Sequence, residues 1–241
     1  MSETVSAGEV VFLLDVDNTL LDNDQVERDL RAFLQHRFGT ALAERFWAIF
    51  EALRAELGYA DFLGALQRFR LEHLRHPHIL ETTFYLLDYP FAERLYPGAL
   101  DVVAHLGALG TPVILSDGDV VFQPYKIRAS GIWQAVERNV LIYIHKEAML
   151  EDIAARYPAR HYVLVDDKVR ILAAIKAVWG ARVTTVFPRQ GHYAHDAALV
   201  ARYPTPDLTI ARIGDLLNLR LDALVEAALP SASAKAANGE R

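Results

Sequence analysis

The amino-acid sequence predicts an α/β protein with a mostly parallel sheet, helices on both faces of that sheet, and a small all-helical segment. The first observation is a continuous apolar run near residues 10–15, which is typical of a strand buried on both faces. The second is that apolar residues recur at helical spacing over 21–92, with no strand pattern. The third is a regular alternation of short apolar runs with amphipathic stretches after Gly98, which indicates βαβ units.

The predicted elements follow in chain order. Glycine and proline set several boundaries: Gly110 and Pro112 end a helix, and Gly131 and Gly180 close two more. After the strand near 10–15 and about four helices in 21–92, the sequence predicts helices near 99–109, 123–130, 147–156, 169–179, 194–202 and 213–228, which alternate with strands at 112–115, 140–144, 162–165, 182–187 and 208–210.

These elements predict a discontinuous α/β core made of residues 9–20 and 93–229. Residues 21–92 form the helical insert, because about 70 residues far exceed the dozen or so that one crossover needs. Residues 1–8 are short and polar, and we expect them to be loose. The tail 230–241 is rich in Ala and Ser, so we expect it to be disordered.

Composition excludes several functional classes. Hydrophobic residues make up 52% of the chain, enough for a sizeable core, and the net charge of −6 argues against a nucleic-acid partner. The absence of cysteine excludes disulfides, thiolate nucleophiles and cysteine-based zinc sites. No apolar run approaches the roughly 18 residues of a membrane span, and the N terminus lacks the pattern of a signal peptide. We therefore expect a soluble cytoplasmic protein with no membrane partner; the oligomeric state is not predicted.

Polar residues follow four of the predicted strands. Because parallel strands have their carboxyl ends at the same edge of the sheet, these side chains should meet in one crevice. Lysine is rare in this chain, with five Lys against twenty Arg, so a lysine at a strand end is a specific signal. The converging groups are two acidic pairs, one hydroxyl and one cation: Asp15 with Asp17, Asp166 with Asp167, Ser116 and Lys146.

The run DVDNTLL at residues 15–21 resembles the first signature of the haloacid dehalogenase superfamily, whose members are mostly phosphohydrolases with an aspartate nucleophile. The order acid, Ser, Lys, acid also matches the four signatures of that superfamily, so the resemblance extends from about residue 10 to 215. It implies a Rossmann-like core and identifies 21–92 as a helical cap. Such a cap closes over the crevice, excludes water and selects the substrate.

The resemblance also implies roles for the residues of the crevice. Asp15 is expected to be the nucleophile that forms an aspartyl-phosphate. Asp17 is expected to protonate the leaving group and then to activate the hydrolytic water. Lys146 is expected to hold the phosphoryl group and to offset the charge of Asp15.

Further residues are expected to bind the substrate. Ser116 would donate a hydrogen bond to a transferred oxygen, with help from backbone N–H groups around Asp117 and Gly118. Asn18 and Thr19, which follow the first acidic pair, are assigned to substrate binding as well.

The acidic residues are expected to hold Mg²⁺, a hard cation that prefers oxygen ligands. The expected ligands are Asp15, Asp166 and Asp167, and the resemblance adds the backbone carbonyl of Asp17. Many members of the superfamily carry another aspartate four residues after the fourth-signature pair, where this chain has Ile171. It therefore stays open which of Asp166 and Asp167 contacts the metal directly.

The sequence thus predicts a Mg²⁺-dependent phosphohydrolase that acts on a small phosphorylated metabolite. Asp17 favours phosphoryl transfer over dehalogenation, and the absence of lysine from 21–92 argues against the phosphonate-cleaving branch. A sugar phosphate mutase and a non-catalytic ligand-binding member are the alternatives.

Several polar residues keep two interpretations. Lys168 is either a surface charge or a substrate contact. For Arg189 and His192 a polar loop is favoured over contact with an anionic leaving group. An interhelical loop is favoured over a metal site for the cluster of His73, His76 and His78.

Overall fold

A computed structural model of the chain describes residues 10–219. It contains one six-stranded sheet in which every strand pair is parallel and the order is β3-β2-β1-β4-β5-β6. The strands are β1 (Val10–Leu14), β2 (Thr111–Asp117), β3 (Val140–Tyr143), β4 (His161–Val165), β5 (Val183–Pro188) and β6 (Leu208–Ile210). The predicted α/β class and the parallel sheet are confirmed.

Strand β1 lies at the centre of the sheet and is buried along its whole length. Alternate side chains enter two different cores: Phe12 and Leu14 pack on one face, and Val11 and Leu13 on the other. Apolar contacts on both faces account for the continuous hydrophobic run, because neither face of the strand meets water. Leu14 is in register with Ile114 and Val165, so the residues that follow β1 lie beside the last residues of β2 and those that follow β4.

Four of the helices between β1 and β2 lie in the region that the sequence predicts as a helical insert. They are α1 (Asn23–Phe38), α2 (Thr40–Leu57), α3 (Phe62–Glu72) and α4 (Ile79–Leu87), which agrees with the predicted number. Asp22 and Asp61 begin α1 and α3 by accepting hydrogen bonds from backbone N–H groups of the first turn. The apolar faces of the four helices meet in a cluster rich in phenylalanine that continues onto one face of the sheet. We refer to residues 23–87 as the four-helix segment; the domain boundaries, and its role as a cap, stay predictions.

The other helices lie on both faces of the sheet. They are α5 (Ala99–Gly107), α6 (Phe122–Ala129), α7 (Ile132–Ala135), α8 (Leu150–Arg156), α9 (Val169–Trp179), α10 (Gly191–His195) and α11 (Ala197–Val200). Short 3₁₀ turns cover Phe91–Arg94, Lys146–Ala148, Gly180–Arg182 and Ile213–Asn218.

Three predicted boundaries differ from the structure. Strand β2 continues through Asp117 instead of ending before Ser116, because Asp117 still pairs with Tyr143 of β3. The helix predicted near 194–202 is divided into α10 and α11, because Asp196 is extended and caps α11 by accepting from Leu199 N–H. The helix predicted at 147–156 is likewise divided into a 3₁₀ turn and α8.

The helix predicted at 213–228 begins instead as a 3₁₀ turn, Ile213–Asn218, because Leu219 has an extended backbone. The predicted tail 230–241, the loose residues 1–8 and the rest of that predicted helix lie outside the described residues. Within 10–219, no helix has both the length and the apolar character needed to cross a membrane.

Candidate active site

Asp15 directly follows β1 and exposes only 2% of its surface. Its backbone N–H donates to Val165 O at 3.0 Å, which continues the pairing of β1 with β4. Its Oδ1 lies 2.5 Å from Lys146 Nζ, and its Oδ2 accepts a hydrogen bond from the Thr19 hydroxyl at 3.2 Å. Because both carboxylate oxygens are held, the side chain has one fixed orientation, as a carboxylate nucleophile requires.

Lys146 is the cation at the centre of the site. Its Nζ lies 2.7 Å from Asp166 Oδ2, in addition to its contact with Asp15, and donates to Leu115 O at 3.1 Å. Burial alone would lower the pKa of Lys146, but the charges of Asp15, Asp166 and Asp117 outweigh burial and raise that pKa above its usual value. Lys146 is therefore a permanent positive charge between two buried carboxylates.

The acidic pair after β4 lies beside Asp15. One carboxylate oxygen from each of Asp15, Asp166 and Asp167 lies within 4.8 Å of the others. Thr19 connects the two strand ends, because its hydroxyl donates to Asp15 and accepts from the Asp167 backbone N–H at 3.1 Å. Lys168 N–H donates to Asp166 Oδ1 at 2.8 Å.

Asp167 has an unusual environment. It is fully buried, yet neither of its carboxylate oxygens accepts a hydrogen bond from any residue of the range 10–219. Burial raises the pKa of Asp167 well above its usual value, and burial also raises the pKa of Asp166 against the opposing charge of Lys146. Unpaired buried carboxylate oxygens next to two other carboxylates fit a hard divalent cation such as Mg²⁺.

Ser116 and its neighbours lie at the end of β2. Ser116 is buried and its Oγ accepts a hydrogen bond from Gln123 Nε2 at 2.8 Å. Asp117 Oδ1 accepts from Lys146 N–H at 2.8 Å, and burial raises the pKa of Asp117. Gly118 N–H donates to Tyr143 O at 3.1 Å, so this group already has a partner within the sheet.

Asp17 is held by the side chains of α6. Its Oδ1 lies 2.5 Å from Lys126 Nζ, and its Oδ2 accepts from Gln123 Nε2 at 3.3 Å. The Asp17 side chain is 26% exposed, so it remains accessible from the crevice while both oxygens have partners.

Asn18 has a left-handed backbone, with a φ of 60°. Its side chain forms two hydrogen bonds with Asp24 at the start of α1, and Asp24 also accepts from His192 N–H at 2.8 Å. Burial would raise the pKa of Asp24, but the hydrogen bonds from His192 and Asn18 lower it. These contacts connect the loop after β1, the four-helix segment and α10.

A cavity of about 300 Å³ adjoins this site, and Asp17, Asn18, Asp117 and Lys168 are among the residues that line it. The four-helix segment contributes one side of its lining, and the loops after β1, β3, β4 and β5 contribute the rest. Arg54 of α2 donates a hydrogen bond to the Tyr193 hydroxyl of α10 across the cavity. Charged and polar lining residues include Asp17, Glu27, Arg54, Lys168, Arg170 and Tyr193.

Residues 10–178 match the family of haloacid dehalogenase-like hydrolases. The chain belongs to this family. A protein from Burkholderia xenovorans LB400, named as a haloacid dehalogenase-like hydrolase, is 60% identical; the alignment covers 90% of this chain and 98% of that one, with a TM-score of 0.84. A search of curated proteins finds no match.

More distant members of the family share the fold. An L-2-haloacid dehalogenase from Xanthobacter autotrophicus is 19% identical over 88% of this chain and 97% of its own, with a TM-score of 0.57. The hydrolase YfnB from Bacillus subtilis, solved with magnesium bound, is 15% identical over 88% of this chain and 98% of its own, also with a TM-score of 0.57. The predicted membership of the haloacid dehalogenase superfamily is confirmed.

The predicted function is corrected by the same comparisons. The sequence predicted a Mg²⁺-dependent phosphohydrolase of a phosphorylated metabolite, but the similar structures include several L-2-haloacid dehalogenases, and that prediction is wrong. The physical reason is that a buried aspartate, a lysine and a serine at strand ends position a nucleophile without specifying which bond it breaks.

In this haloacid dehalogenase-like hydrolase, most of the residues that the sequence predicted for the site lie close together. Asp15, Lys146 and the 166–167 pair are in direct proximity, and Thr19 contacts two of them. Their chemical roles stay predictions.

The residues with two interpretations are also placed. Lys168 and His192 line the cavity, whereas Arg189 lies in a separate surface depression formed by α10, α11 and β6. His73, His76 and His78 lie between α3 and α4, in the interhelical loop that was favoured.

Sequence reasoning missed Gln123 and Lys126 of α6. Both lie on the buried face of that helix with Phe122 and Ile127. Two signals could have found them: polar residues on an otherwise apolar helix face, and the rarity of lysine in the chain. Arg54 and Tyr193 carried no comparable signal.

Proposed function

We propose that this protein is a hydrolase that breaks a bond in a small organic anion by forming an ester on Asp15. The observation that carries the proposal is the environment of Asp15, whose two carboxylate oxygens are fixed by Lys146 and Thr19 in a buried position two residues before Asp17, which lines the cavity. A nucleophile that is desolvated and oriented in this way reacts without first reorganising its surroundings.

The reaction has two steps. In the first, a carboxylate oxygen of Asp15 attacks the electrophilic atom of the substrate, and the leaving group departs with the electron pair of the broken bond. In the second, a water molecule gives one proton to Asp17 and its oxygen adds to the carbonyl carbon of the ester; the C–O bond to the product breaks, the product oxygen takes the second proton, and the carboxylate of Asp15 is restored. Asp17 then releases its proton to solvent before the next cycle. Lys146 offsets the charge of the free carboxylate both before and after the cycle.

The lining of the cavity supports a small anionic substrate. Arg54, Lys168 and Arg170 place three cations on its walls, and a volume of about 300 Å³ admits a small metabolite but not a polymer. Burial would lower the pKa of Lys168, but the charges of Asp15, Asp167 and Asp166 outweigh burial and raise that pKa. The side chain therefore stays positive near Asp15. This supports a substrate contact for Lys168 over a surface charge.

Asp15, Asp166 and Asp167 would hold Mg²⁺ through their carboxylate oxygens. When bound, the cation would offset the repulsion between these carboxylates and an anionic substrate. The unpartnered oxygens of Asp167 support this assignment, because they otherwise remain buried without compensation.

The four-helix segment would serve as the cap of the site. Its Arg54, Tyr59 and Glu27 line the same cavity as the residues after β1 and β4, so a substrate would contact both parts of the chain. The cytoplasmic location stays a prediction.

A substrate panel tests the proposed activity. Purified protein is incubated, with and without Mg²⁺, with 2-halogenated carboxylates and with the phosphoric monoesters that the sequence suggested, and released halide and phosphate are measured. We expect halide release from 2-halogenated carboxylates by the wild type and a loss of about 10³-fold or more in kcat for Asp15→Asn, because an amide is a poor nucleophile. Halide release that persists in Asp15→Asn, or the absence of halide release by the wild type, would contradict the proposal.

A further inference from the structure

We infer that Lys126 is a positioning residue that holds the Asp17 carboxylate towards the cavity and connects it to the first helix of the four-helix segment. The inference deepens the proposed function, since it concerns the group that accepts the proton of the hydrolytic water. It is separable from that function because the geometry it describes can be observed without turnover.

The environment of Lys126 is specific. Only 3% of its side chain is exposed, and its Nζ lies 2.5 Å from Asp17 Oδ1 and 3.3 Å from Asn23 Oδ1. Asp17 follows β1, whereas Asn23 begins α1, so the ammonium group of Lys126 bridges the loop after β1 and the four-helix segment. Three polar atoms from three parts of the chain thus meet in a site where a buried lysine requires partners.

Gln123, one helical turn before Lys126, completes the arrangement. Its amide nitrogen donates to Ser116 Oγ at 2.8 Å and to Asp17 Oδ2 at 3.3 Å. Gly118 allows this close approach, because a Cβ at that position would lie 2.8 Å from the Gln123 side chain. Helix α6 therefore fixes both carboxylate oxygens of Asp17 and links them to the Ser116 hydroxyl near the end of β2.

The same helix packs against the four-helix segment. Phe122 makes edge contacts with Phe62 at the start of α3 and with Phe91 after α4. Tyr125 donates a hydrogen bond from its hydroxyl to Leu87 O at the end of α4. A displacement of the four-helix segment would accordingly be transmitted through α6 to Asp17.

Stability alone gives little reason for a lysine here. A buried ion pair contributes little net stability, because the loss of hydration offsets most of the attraction. A methionine of similar length could fill the same volume without that cost. Lys126 instead gives Asp17 a defined orientation at the wall of the cavity.

The test compares Lys126→Met with a matched control, Lys176→Met. Lys176 likewise bonds a carboxylate, Asp207 Oδ2 at 2.8 Å, together with Val183 O at 2.7 Å, but it does not line the cavity, and Val183 begins β5 at the opposite end of the strand from its carboxyl end. The first readout is the side-chain carboxyl ¹³C resonance of Asp17 in protein labelled at aspartate, assigned with Asp17→Asn. We expect this resonance to move in Lys126→Met and to remain in place in Lys176→Met.

The second readout is kinetic and uses the substrate that the panel identifies. We expect kcat to fall about 10- to 100-fold in Lys126→Met with little change in KM, and Lys126→Arg to recover part of the loss because it restores a cation next to Asp17. If Lys126→Met does not fold, Lys126→Gln carries the same readouts.

Two results would overturn the inference: an Asp17 resonance that is unchanged in Lys126→Met, or one that moves equally in Lys176→Met. An unchanged kcat would overturn it as well. Failure of the proposed function would instead show as no turnover by the wild type, and it would leave the resonance of Asp17 as the deciding measurement.

Discussion

Asp167 combines complete burial with carboxylate oxygens that no residue from 10 to 219 contacts by hydrogen bonding. Such a group is costly in the folded protein unless it is protonated or bound to a cation, because its hydration is lost without replacement. The raised pKa values of Asp166 and Asp167 express the same cost. The charge of Asp167 therefore requires compensation by a proton or a bound cation, because no side chain from 10 to 219 donates a hydrogen bond to it.

Replacement of Asp167 by Asn should stabilise the metal-free protein at neutral pH. A folded-state pKa above the ordinary value of 3.8 means that the folded protein binds more protons than the unfolded chain as the pH rises above about 4, so the free energy of unfolding falls over that range. Asp167→Asn removes this penalty. We expect it to raise the free energy of unfolding in EDTA by about 1–3 kcal/mol at pH 7.5 and by less at pH 4.5, as measured by urea denaturation.

Mg²⁺ should change the free energy of unfolding of the wild type but not that of Asp167→Asn. It should stabilise the wild type at pH 7.5 and have little effect on Asp167→Asn, because the variant lacks one of the three carboxylates. Asp196→Asn is the control, since Asp196 caps α11 away from the acidic cluster and Asn caps helices equally well. Equal stabilisation of wild type and Asp167→Asn by Mg²⁺ would exclude a cation site at Asp167.

For individual residues, the sequence was sufficient to locate those that lie at the ends of strands. Asp15, Lys146 and the 166–167 pair could be placed because parallel strands fix where their carboxyl ends lie. Lys126 could not be placed in the same way, because its helix reaches Asp17 only through tertiary packing.

Helix α10 is the element that joins the strand end of β5 to the four-helix segment. Gly191 at its start has a φ of 68°, and a Cβ there would lie 2.4 Å from the Cβ of Asn18. Asn18 in turn bonds Asp24 of α1. The contact of α10 with the loop after β1 thus depends on position 191, where only glycine fits.

Gly191→Ala should destabilise the protein and disturb the loop after β1. We expect a loss of about 2–4 kcal/mol in urea denaturation, because left-handed backbone strain of about 1–2 kcal/mol is combined with a steric conflict against Asn18. Gly131→Ala is the matched control: its φ is 87°, but the nearest atom to a new Cβ lies at an ordinary 3.9 Å. A loss for Gly191→Ala no larger than for Gly131→Ala would show that the close approach of Asn18 is not energetically important.

The longer elements could be predicted from periodicity, whereas their interruptions could not. Helix α9 occupies the predicted residues 169–179, because its apolar spacing and Gly180 mark both ends. Helix α7 has only four residues, too few to show a period. The division between α10 and α11 depends on the capping of one turn by Asp196, a local hydrogen bond that competes with a continuous helix.

For the whole molecule, the alternation of strands and helices was sufficient to predict the sheet, and the order of strand-end residues was sufficient to predict the family. The bond that is broken could not be predicted, because it depends on side chains that reach the cavity from distant parts of the chain. Arg54 of α2 and Tyr193 of α10 lie 139 residues apart in sequence and share a hydrogen bond at the cavity. We propose that substrate selection depends on such tertiary contacts between the four-helix segment and the core.

The most direct test of Asp15 as the nucleophile is peptide mass mapping of enzyme that is quenched during turnover of the substrate identified by the panel. Asp17→Asn is used to slow hydrolysis of the ester, so that the intermediate accumulates. We predict a mass increase equal to the transferred fragment of the substrate, located on Asp15 by fragmentation of its peptide and missing from Asp15→Asn. Transfer of the fragment to a different residue, or rapid turnover with Asp15 unmodified in the Asp17→Asn variant, would contradict it.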